Sequence, residues 1–327
     1  NSKGKHIIDI MIDKKINIIR IFAPEHGYLG NRSAGEEIEN DVDSLSGIEI
    51  VSLYGKNKSP QDQYLTDLDV LIFDIQDIGV RYYTYISTMT LAMESATKNN
   101  VKFLVLDRPN PLSGSIVEGP VLNADFSSFV GMHSIPVRHG MTTGEIALFI
   151  KQNNLIENAD ELDLEILRME NWNREKWYYN RCGKWIPPSP NIPNVNTALM
   201  YSGTCLLEGT NLSEGRGTEN PFKILGAPWI NNKQLLEGIS TFLHKHDKLD
   251  TVSFVPQSLL GKSSHPKYQG EVCHGLKIEN LEDPINWTVY LFQVLETLYP
   301  NEFQFLEKGD EFGYVSNLTD SMQKFYW

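Results

Sequence analysis

The sequence has few cysteines, little positive charge and no long apolar run. Its 327 residues include only 3 cysteines (Cys182, Cys205 and Cys273), too few and too scattered for a disulfide framework or a structural zinc site. Lysine and arginine number 29 against 42 acidic residues, and the net charge of −13 disfavours binding to nucleic acid or anionic lipid. No apolar stretch approaches the ~18–20 residues of a membrane span, so no spanning segment is predicted.

Several catalytic signatures are absent as well. No G-x-G-x-x-G motif follows a predicted strand, which argues against a dinucleotide cofactor. No G-x-S-x-G nucleophile elbow is present, which disfavours a serine hydrolase. The sequence has no H-E-x-x-H motif, and its nearest metal-like cluster, residues 244–247, lies at the polar end of a predicted helix. We therefore expect neither a cofactor nor a bound metal ion.

Apolar residues are present in an ordinary proportion and alternate between helical and strand-like segments. They make up 41% of the chain, enough for a sizeable core, and the length favours two domains. Helices are predicted at residues 4–15 and 82–98, and strands at residues 18–22, 48–53, 68–73, 101–106 and 162–169. Uniformly apolar strands separated by helices predict an α/β fold with a doubly wound, mostly parallel, Rossmann-like sheet.

The pattern changes after about residue 200. Short strands at residues 205–207, 252–255 and 275–278 alternate there with helices near residues 234–244 and 287–299. This pattern predicts a smaller α+β domain over residues 201–327, following a Rossmann-like catalytic domain over residues 1–200. Because the chain opens with a helix where such a sheet begins with a strand, we expect a further strand upstream of Asn1.

Polar residues follow three of the predicted strands. They come in pairs: Glu25 and His26, Gln76 and Asp77, and Arg108 and Asn110. Ligands bind beyond the carboxyl ends of parallel strands, so these residues predict a site at that edge. Most of them are equally well explained as caps, turn residues or, for His26, a structural imidazole. Glu25 is harder to explain in this way, because a glutamate beside proline is neither a good cap nor a strand former.

A second polar segment covers residues 207–218. It is rich in glycine but lacks the lysine and the spacing of a phosphate-binding loop. We interpret it as a loop that carries Glu214 and Arg216 toward a sugar or carboxylate, with a tight hairpin and an internal ion pair as the alternative. A separate pair, Thr142 and Glu145, has the spacing of a helix capping box.

At these residues the sequence resembles the NamZ-type exo-β-N-acetylmuramidases. The matching segments occur in order along nearly the whole chain. They include Pro24-Glu25-His26-Gly27, Phe73-Asp74-Ile75-Gln76-Asp77, Tyr83-Thr84-Tyr85, Asp107-Arg108-Pro109-Asn110, Val117-Glu118-Gly119-Pro120, His139-Gly140-Met141-Thr142 and the loop from Glu208 to Thr218. One departure is Asn31-Arg32-Ser33, where relatives often carry an acidic residue.

The resemblance implies a secreted or periplasmic glycosidase of cell wall recycling. Such enzymes release N-acetylmuramic acid from the non-reducing end of peptidoglycan fragments. The family's proposed catalytic glutamate falls on Glu25, expected to act as general acid and base. Asp77 is the first choice for the second carboxylate, followed by Glu118 and Glu214, and the 2-acetamido group of the sugar is the alternative nucleophile.

Substrate-binding residues follow from the same reasoning. Arg108 or Arg216 is expected to pair with the lactyl carboxylate. The other residues expected to contact the sugar are His26, Gln76, Tyr83, Asn110, Glu118, His139 and Glu214. Two alternative functions remain: a metal-dependent hydrolase that uses His26, Asp77 and His139, and a non-catalytic protein that binds cell-wall sugars.

Overall fold

A computed structural model describes residues 5–33, 39–178 and 184–306. Over these ranges, no helix has both the length and the apolar character needed to cross a lipid bilayer. Cys182 lies outside the described residues, whereas Cys205 and Cys273 are buried free thiols. Burial raises the pKa of both thiols, to about 12 for Cys273, so both remain protonated and packed at neutral pH.

The chain forms two compact units, and each unit draws on two stretches of sequence. The first consists of residues 1–116 and 139–188, and the second of residues 117–138 and 189–327. The segment 117–138 thus contributes to the second unit, although it interrupts the first along the chain. The division at residue 200 stays a prediction.

The strands of the first unit form two three-stranded sheets, ordered β1-β3-β2 and β4-β5-β6. Their bounds are β1 Arg20–Ala23, β2 Asp41–Val42, β3 Glu49–Ser52, β4 Val70–Phe73, β5 Lys102–Leu106 and β6 Leu164–Leu167. Pairing is parallel between β1 and β3 and throughout β4-β5-β6, whereas β2 runs antiparallel to β3. The predicted α/β class with a mostly parallel sheet is confirmed, although the described strands form two hydrogen-bonded groups.

Three helices belong to this unit: α1 Ile7–Asp13, α2 Tyr85–Lys98 and α3 Thr143–Gln152. The capping box predicted for α3 is confirmed, because Thr142 and Glu145 exchange side-chain to backbone hydrogen bonds. Helices α2 and α3 and strands β4 and β5 share one apolar core, which includes Met93, Phe103 and Val105, all 0% exposed. Each such side chain contributes about 1.5–3 kcal/mol on burial, so the strand ends are held on a rigid base.

The second unit is built on an antiparallel sheet in the order β7-β9-β8. Its elements are α4 Val195–Thr204, β7 Ile224–Ala227, α5 Asn232–Ile239, β8 Lys248–Phe254, β9 Cys273–Asn280 and α6 Pro284–Leu298. The predicted strand at residues 205–207 is wrong, because Cys205–Gly209 forms a 3₁₀ helix directly after α4. Its apolar side chains still face a core, since Leu207 is 0% exposed. The second unit thus combines helices with an antiparallel sheet, so the α+β character predicted for the C-terminal part of the chain is confirmed.

Gly203 allows α4 and α6 to approach each other closely. A Cβ atom at this position would lie 1.9 Å from the Pro284 carbonyl oxygen and 2.8 Å from Thr288 Oγ1. Because the two helices would have to separate, we expect Gly203→Ala to lower the free energy of unfolding by about 1–3 kcal/mol. Urea unfolding measures this difference, with exposed Glu296 on α6 changed to alanine as the control. Equal unfolding free energies for the two variants would contradict the explanation.

Candidate active site

Glu25 lies in a tight turn directly after β1. The Gly27 N–H donates to the Pro24 carbonyl oxygen at 2.9 Å, and His26 between them has a left-handed φ of 73°. His26 Nδ1 lies 3.0 Å from the Arg32 carbonyl oxygen, which ties the turn to the loop that follows. The buried imidazole therefore shapes the loop, while the Glu25 side chain stays partly exposed.

The residues at the start of α2 contact Glu25. Thr84 Oγ1 donates to Glu25 Oε2 at 2.9 Å. The Tyr85 hydroxyl lies 3.3 Å from the Glu25 carbonyl oxygen and 2.8 Å from that of Pro188. The Tyr83 ring packs edge-on against Tyr85, with ring centroids 4.9 Å apart. Thr84 and Tyr85 were not proposed from the sequence, although both lie in the matching segment Tyr83-Thr84-Tyr85.

Asp77 follows β4 and is 7% exposed, with its two oxygens in different surroundings. Oδ2 accepts from the Gly79 N–H at 2.6 Å and lies 3.5 Å from His139 Nε2. Oδ1 is buried and has no hydrogen-bond partner among the described residues. His139 Nδ1 accepts from the Met141 N–H at 3.2 Å, so the ring proton is on Nε2, which makes no hydrogen bond to any described residue.

The carboxylates of Glu25 and Asp77 both affect the pKa of one hydroxyl group, that of Tyr85. Burial raises the pKa of Tyr85 well above its ordinary value, and the negative charges of Glu25 and Asp77 raise it further. Both carboxylates therefore lie near Tyr85, which remains a neutral hydroxyl at physiological pH. Glu25 and Asp77 thus follow two strands of the first unit, and both lie within electrostatic range of the Tyr85 hydroxyl.

Gln76 and Asn110 connect the loops of this edge. Gln76 Nε2 donates to the carbonyl oxygens of Asp77 and Pro109 at 2.7 and 2.9 Å. Asn110 is 3% exposed, and its Nδ2 donates to the Met141 carbonyl oxygen at 3.0 Å. The Gln76 amide therefore joins the loops that follow β4 and β5, and the Asn110 amide joins the loop after β5 to the segment before α3.

Arg108 is paired with an acidic residue of the same edge. Its Nε and Nη2 atoms lie 2.7 and 2.6 Å from Asp74 Oδ1. The Arg108 side chain is 37% exposed, whereas that of Asp74 is 15% exposed. Asp74 directly follows β4 and was not proposed from the sequence. A ligand carboxylate bound by Arg108 would share the guanidinium group with Asp74.

The other three predicted site residues, Glu118, Glu214 and Arg216, lie in the second unit. Glu118 forms an ion pair with Arg138, whose side chain is 2% exposed. Burial lowers the pKa of Arg138, and the Glu118 charge counteracts that effect. Glu118 therefore stabilises a buried guanidinium group.

Glu214 and Arg216 belong to a buried charge cluster, formed by Glu208, Glu214, Arg216 and Lys267. Arg216 Nη2 lies 2.6 Å from Glu208 Oε1, and Arg216 Nε lies 3.5 Å from Glu214 Oε1. Lys267 Nζ lies 3.2 Å from Glu214 Oε2 and also donates to backbone carbonyls. Burial alone would lower the pKa of Arg216, but Glu208 and Glu214 hold it above its ordinary value. The internal ion pair anticipated as an alternative for this loop is therefore present.

The residues named for a metal-dependent hydrolase do not gather around a common point. Throughout residues 5–33, 39–178 and 184–306, no three or more histidine, cysteine, aspartate or glutamate side chains form a group that could hold a metal ion. Asp77 and His139 face each other, whereas His26 Nδ1 faces the Arg32 carbonyl oxygen.

Comparison with known proteins assigns the chain to a family. Residues 1–196 match the family model described as Exo-beta-N-acetylmuramidase NamZ, N-terminal, and residues 199–324 match its C-terminal counterpart. The Peptidoglycan beta-N-acetylmuramidase NamZ of Bacillus subtilis (strain 168) is 38% identical over 315 residues, which cover 94% of this chain and 73% of the relative.

Two solved structures have a similar fold. They are crystal structures of DUF1343 family proteins from Bacteroides fragilis NCTC 9343, with TM-scores of 0.81 and 0.76 and identities of 31% and 33%. The matches cover 92% and 99% of this chain and 76% and 81% of theirs. The two family models and the B. subtilis relative span nearly all of the sequence, and the chain therefore belongs to the NamZ exo-β-N-acetylmuramidase family.

Proposed function

We propose that this protein is an exo-β-N-acetylmuramidase that releases N-acetylmuramic acid from the non-reducing end of peptidoglycan fragments. Membership of the NamZ family makes the chain a glycoside hydrolase. The observation that supports the proposal most directly is the environment of Glu25. Its side chain is partly exposed at the end of a strand and accepts a hydrogen bond from Thr84. Asp77, like Glu25, lies near Tyr85. Enzymes that cleave glycosidic bonds ordinarily use two carboxyl groups.

Glu25 is the group that we assign as general acid and base. Thr84 fixes the orientation of its carboxyl group through Oε2. In this role Glu25 protonates the oxygen of the leaving sugar, and its carboxylate later takes a proton from the incoming water. Asp77 is the second catalytic group, held in place by the Gly79 N–H and packed beside His139.

Arg108 is the residue that we assign to the lactyl carboxylate. It follows β5, which runs parallel to the strand before Asp77, and its side chain is partly exposed. A guanidinium–carboxylate pair is charge-assisted and favours muramic acid over glucosamine, which lacks the lactyl group. Arg216 is a weaker candidate, because its hydrogen bonds go to Glu208 within the charge cluster.

The proposal is tested on purified protein with glycan chains that carry N-acetylmuramic acid at the non-reducing end. We expect free N-acetylmuramic acid to appear first, one residue at a time, and chains that end in N-acetylglucosamine to stay intact. Release of internal oligosaccharides would contradict exo-action. Binding without cleavage would favour the sugar-binding alternative, and activity that is lost to a chelator and restored by metal would favour a metal-dependent hydrolase.

A secreted or periplasmic location follows from this substrate. Peptidoglycan lies outside the cytoplasmic membrane, so the proposed enzyme meets its fragments there and acts in cell wall recycling. Fractionation of cells that produce the full-length protein tests the location. Recovery of the protein exclusively in the cytoplasmic fraction would contradict it.

A further inference from the structure

We propose that Asp77 accepts the N–H of the substrate's 2-acetamido group through Oδ1, so that the acetamido oxygen itself attacks the anomeric carbon. The inference rests on the proposed function and specifies how the second catalytic group acts. It starts from one asymmetry: Oδ2 of Asp77 accepts the Gly79 N–H and lies 3.5 Å from His139 Nε2, while buried Oδ1 has no hydrogen-bond partner within the described chain.

An unpartnered buried oxygen requires an explanation. Leaving such an atom without a hydrogen bond is unfavourable, and a ligand donor removes that cost on binding. The Gly79 N–H at 2.6 Å from Oδ2 fixes the rotation of the carboxylate. Oδ1 therefore has one fixed orientation, as required of an acceptor for one N–H group.

The same surroundings disfavour Asp77 as a nucleophile. A carboxylate that attacks carbon gives up its negative charge in the covalent intermediate. A hydrogen bond to the charged form stabilises that form, so the Gly79 N–H at Oδ2 opposes the loss of charge. An acceptor keeps its charge throughout the reaction, and the Gly79 N–H then supports it at every step.

His139 is a positioning residue in this scheme. Its side chain is 0% exposed, so the ring cannot turn away from Asp77 to contact solvent. The Met141 N–H on Nδ1 places the imidazole proton on Nε2, which faces Asp77 Oδ2. Asn110 in turn holds the Met141 carbonyl group, so the His139 segment is fixed to the end of β5.

The reaction proceeds in two steps. Glu25 gives its proton to the glycosidic oxygen, the bond from C1 to that oxygen breaks with its electron pair leaving on the oxygen, and the acetamido carbonyl oxygen bonds to C1. The resulting oxazolinium ion carries positive charge on its N–H, where the Asp77 carboxylate stabilises it. Water then attacks C1 and gives a proton to Glu25, and the C1 bond to the acetamido oxygen opens. N-Acetylmuramic acid leaves with retained configuration.

Asp77→Asn tests the role of Oδ1 with little change of shape. The amide oxygen takes the place of Oδ2, because the Gly79 N–H needs an acceptor there, so the NH₂ group replaces Oδ1. The acceptor thus becomes a donor, and we expect kcat/KM on an aryl muramic acid glycoside to fall about 10²–10³-fold. Asp69→Asn, at an exposed residue beside β4, is the matched control and should keep wild-type activity.

The acetamido group is tested on the wild-type protein with substrates in which its methyl carries one, two or three fluorines. Fluorine makes the carbonyl oxygen a weaker nucleophile, so kcat/KM should fall with each fluorine, by more than about tenfold over the series. A rate independent of fluorination, or a product of inverted configuration, would overturn the inference and leave the glycosidase function intact. Failure of the wild type to hydrolyse the unfluorinated glycoside would instead overturn the proposed function.

Two substitutions test the positioning role of His139. His139→Gln keeps an N–H donor that can face Asp77, whereas His139→Leu removes it. We expect kcat to be lower in His139→Leu than in His139→Gln, and both variants to keep the fluorine dependence of the wild type. Equal kcat values in the two variants would contradict a positioning role.

Discussion

Glu25→Gln is expected to lower turnover of muramyl disaccharide by about 10²–10⁴-fold, because an amide cannot donate the proton that the leaving sugar needs. The fold should persist, since Thr84 can donate to an amide oxygen as it does to Oε2. The Tyr85 contact is also kept, because it involves the Glu25 backbone carbonyl. Chromatographic measurement of released N-acetylmuramic acid gives the rate, and a binding measurement shows that the substrate site remains.

Dependence on the leaving group separates acid catalysis from a structural effect. Dinitrophenolate leaves a glycoside without being protonated. Glu25→Gln should therefore cleave a dinitrophenyl glycoside at a rate much closer to wild type than its rate on the disaccharide. Glu39→Gln, at an exposed glutamate of the same unit, is the control for loss of one negative charge and should match wild type. Disaccharide turnover by Glu25→Gln within a few-fold of wild type would contradict the acid assignment.

The position of Glu25 was predictable because it depends on local sequence. The apolar runs at residues 18–22 and 68–73 correspond to β1 and β4, and both parallel strands deliver polar residues beyond their carboxyl ends. In the structure both strands begin two residues later than predicted; β1 ends one residue later, at Ala23, and β4 ends at Phe73 as predicted. A buried strand followed by a proline–glutamate turn is therefore enough to locate the edge.

The partners of the charged residues were not predictable in this way. Arg108 pairs with Asp74, which lies 34 residues earlier in the chain. No local pattern indicates such a pair, since the two residues follow different strands and Arg108 was expected to pair with a ligand carboxylate. Likewise, the roles of the two Asp77 oxygens depend on His139, which reaches Asp77 through tertiary structure alone.

Helix α4 and strand β7 were missed for a different reason. Residues 195–204 contain asparagine, threonines, serine and glycine, which have modest or low helix propensity. The helix forms there because Asn194 caps its first turn and because Met200, 0% exposed, packs in the core of the second unit. Strand β7 is four residues long and includes Gly226, so its signal was too short to separate from a loop.

Arg216→Met is expected to lower the free energy of unfolding by about 3–5 kcal/mol, because it leaves the Glu208 carboxylate without its cation and removes one of the two cations of Glu214. The Arg216 side chain is 18% exposed, and those of Glu208 and Glu214 are 17% and 4% exposed. Lys267 contacts Glu214 but gives its other hydrogen bonds to backbone carbonyls, so it cannot replace Arg216 at Glu208. Urea unfolding of the full chain measures the loss.

The same variant decides between the charge cluster and the substrate as the partner of Arg216. A residue that only stabilises the second unit lowers the unfolding free energy and leaves KM of the folded protein unchanged. A residue that binds the lactyl carboxylate raises KM for muramic acid glycosides and leaves stability near wild type. Arg168→Met, at an exposed arginine, is the control and should change neither quantity. Because Glu208 loses its cation only if the cluster is intact in solution, wild-type stability in Arg216→Met would contradict the buried cluster itself.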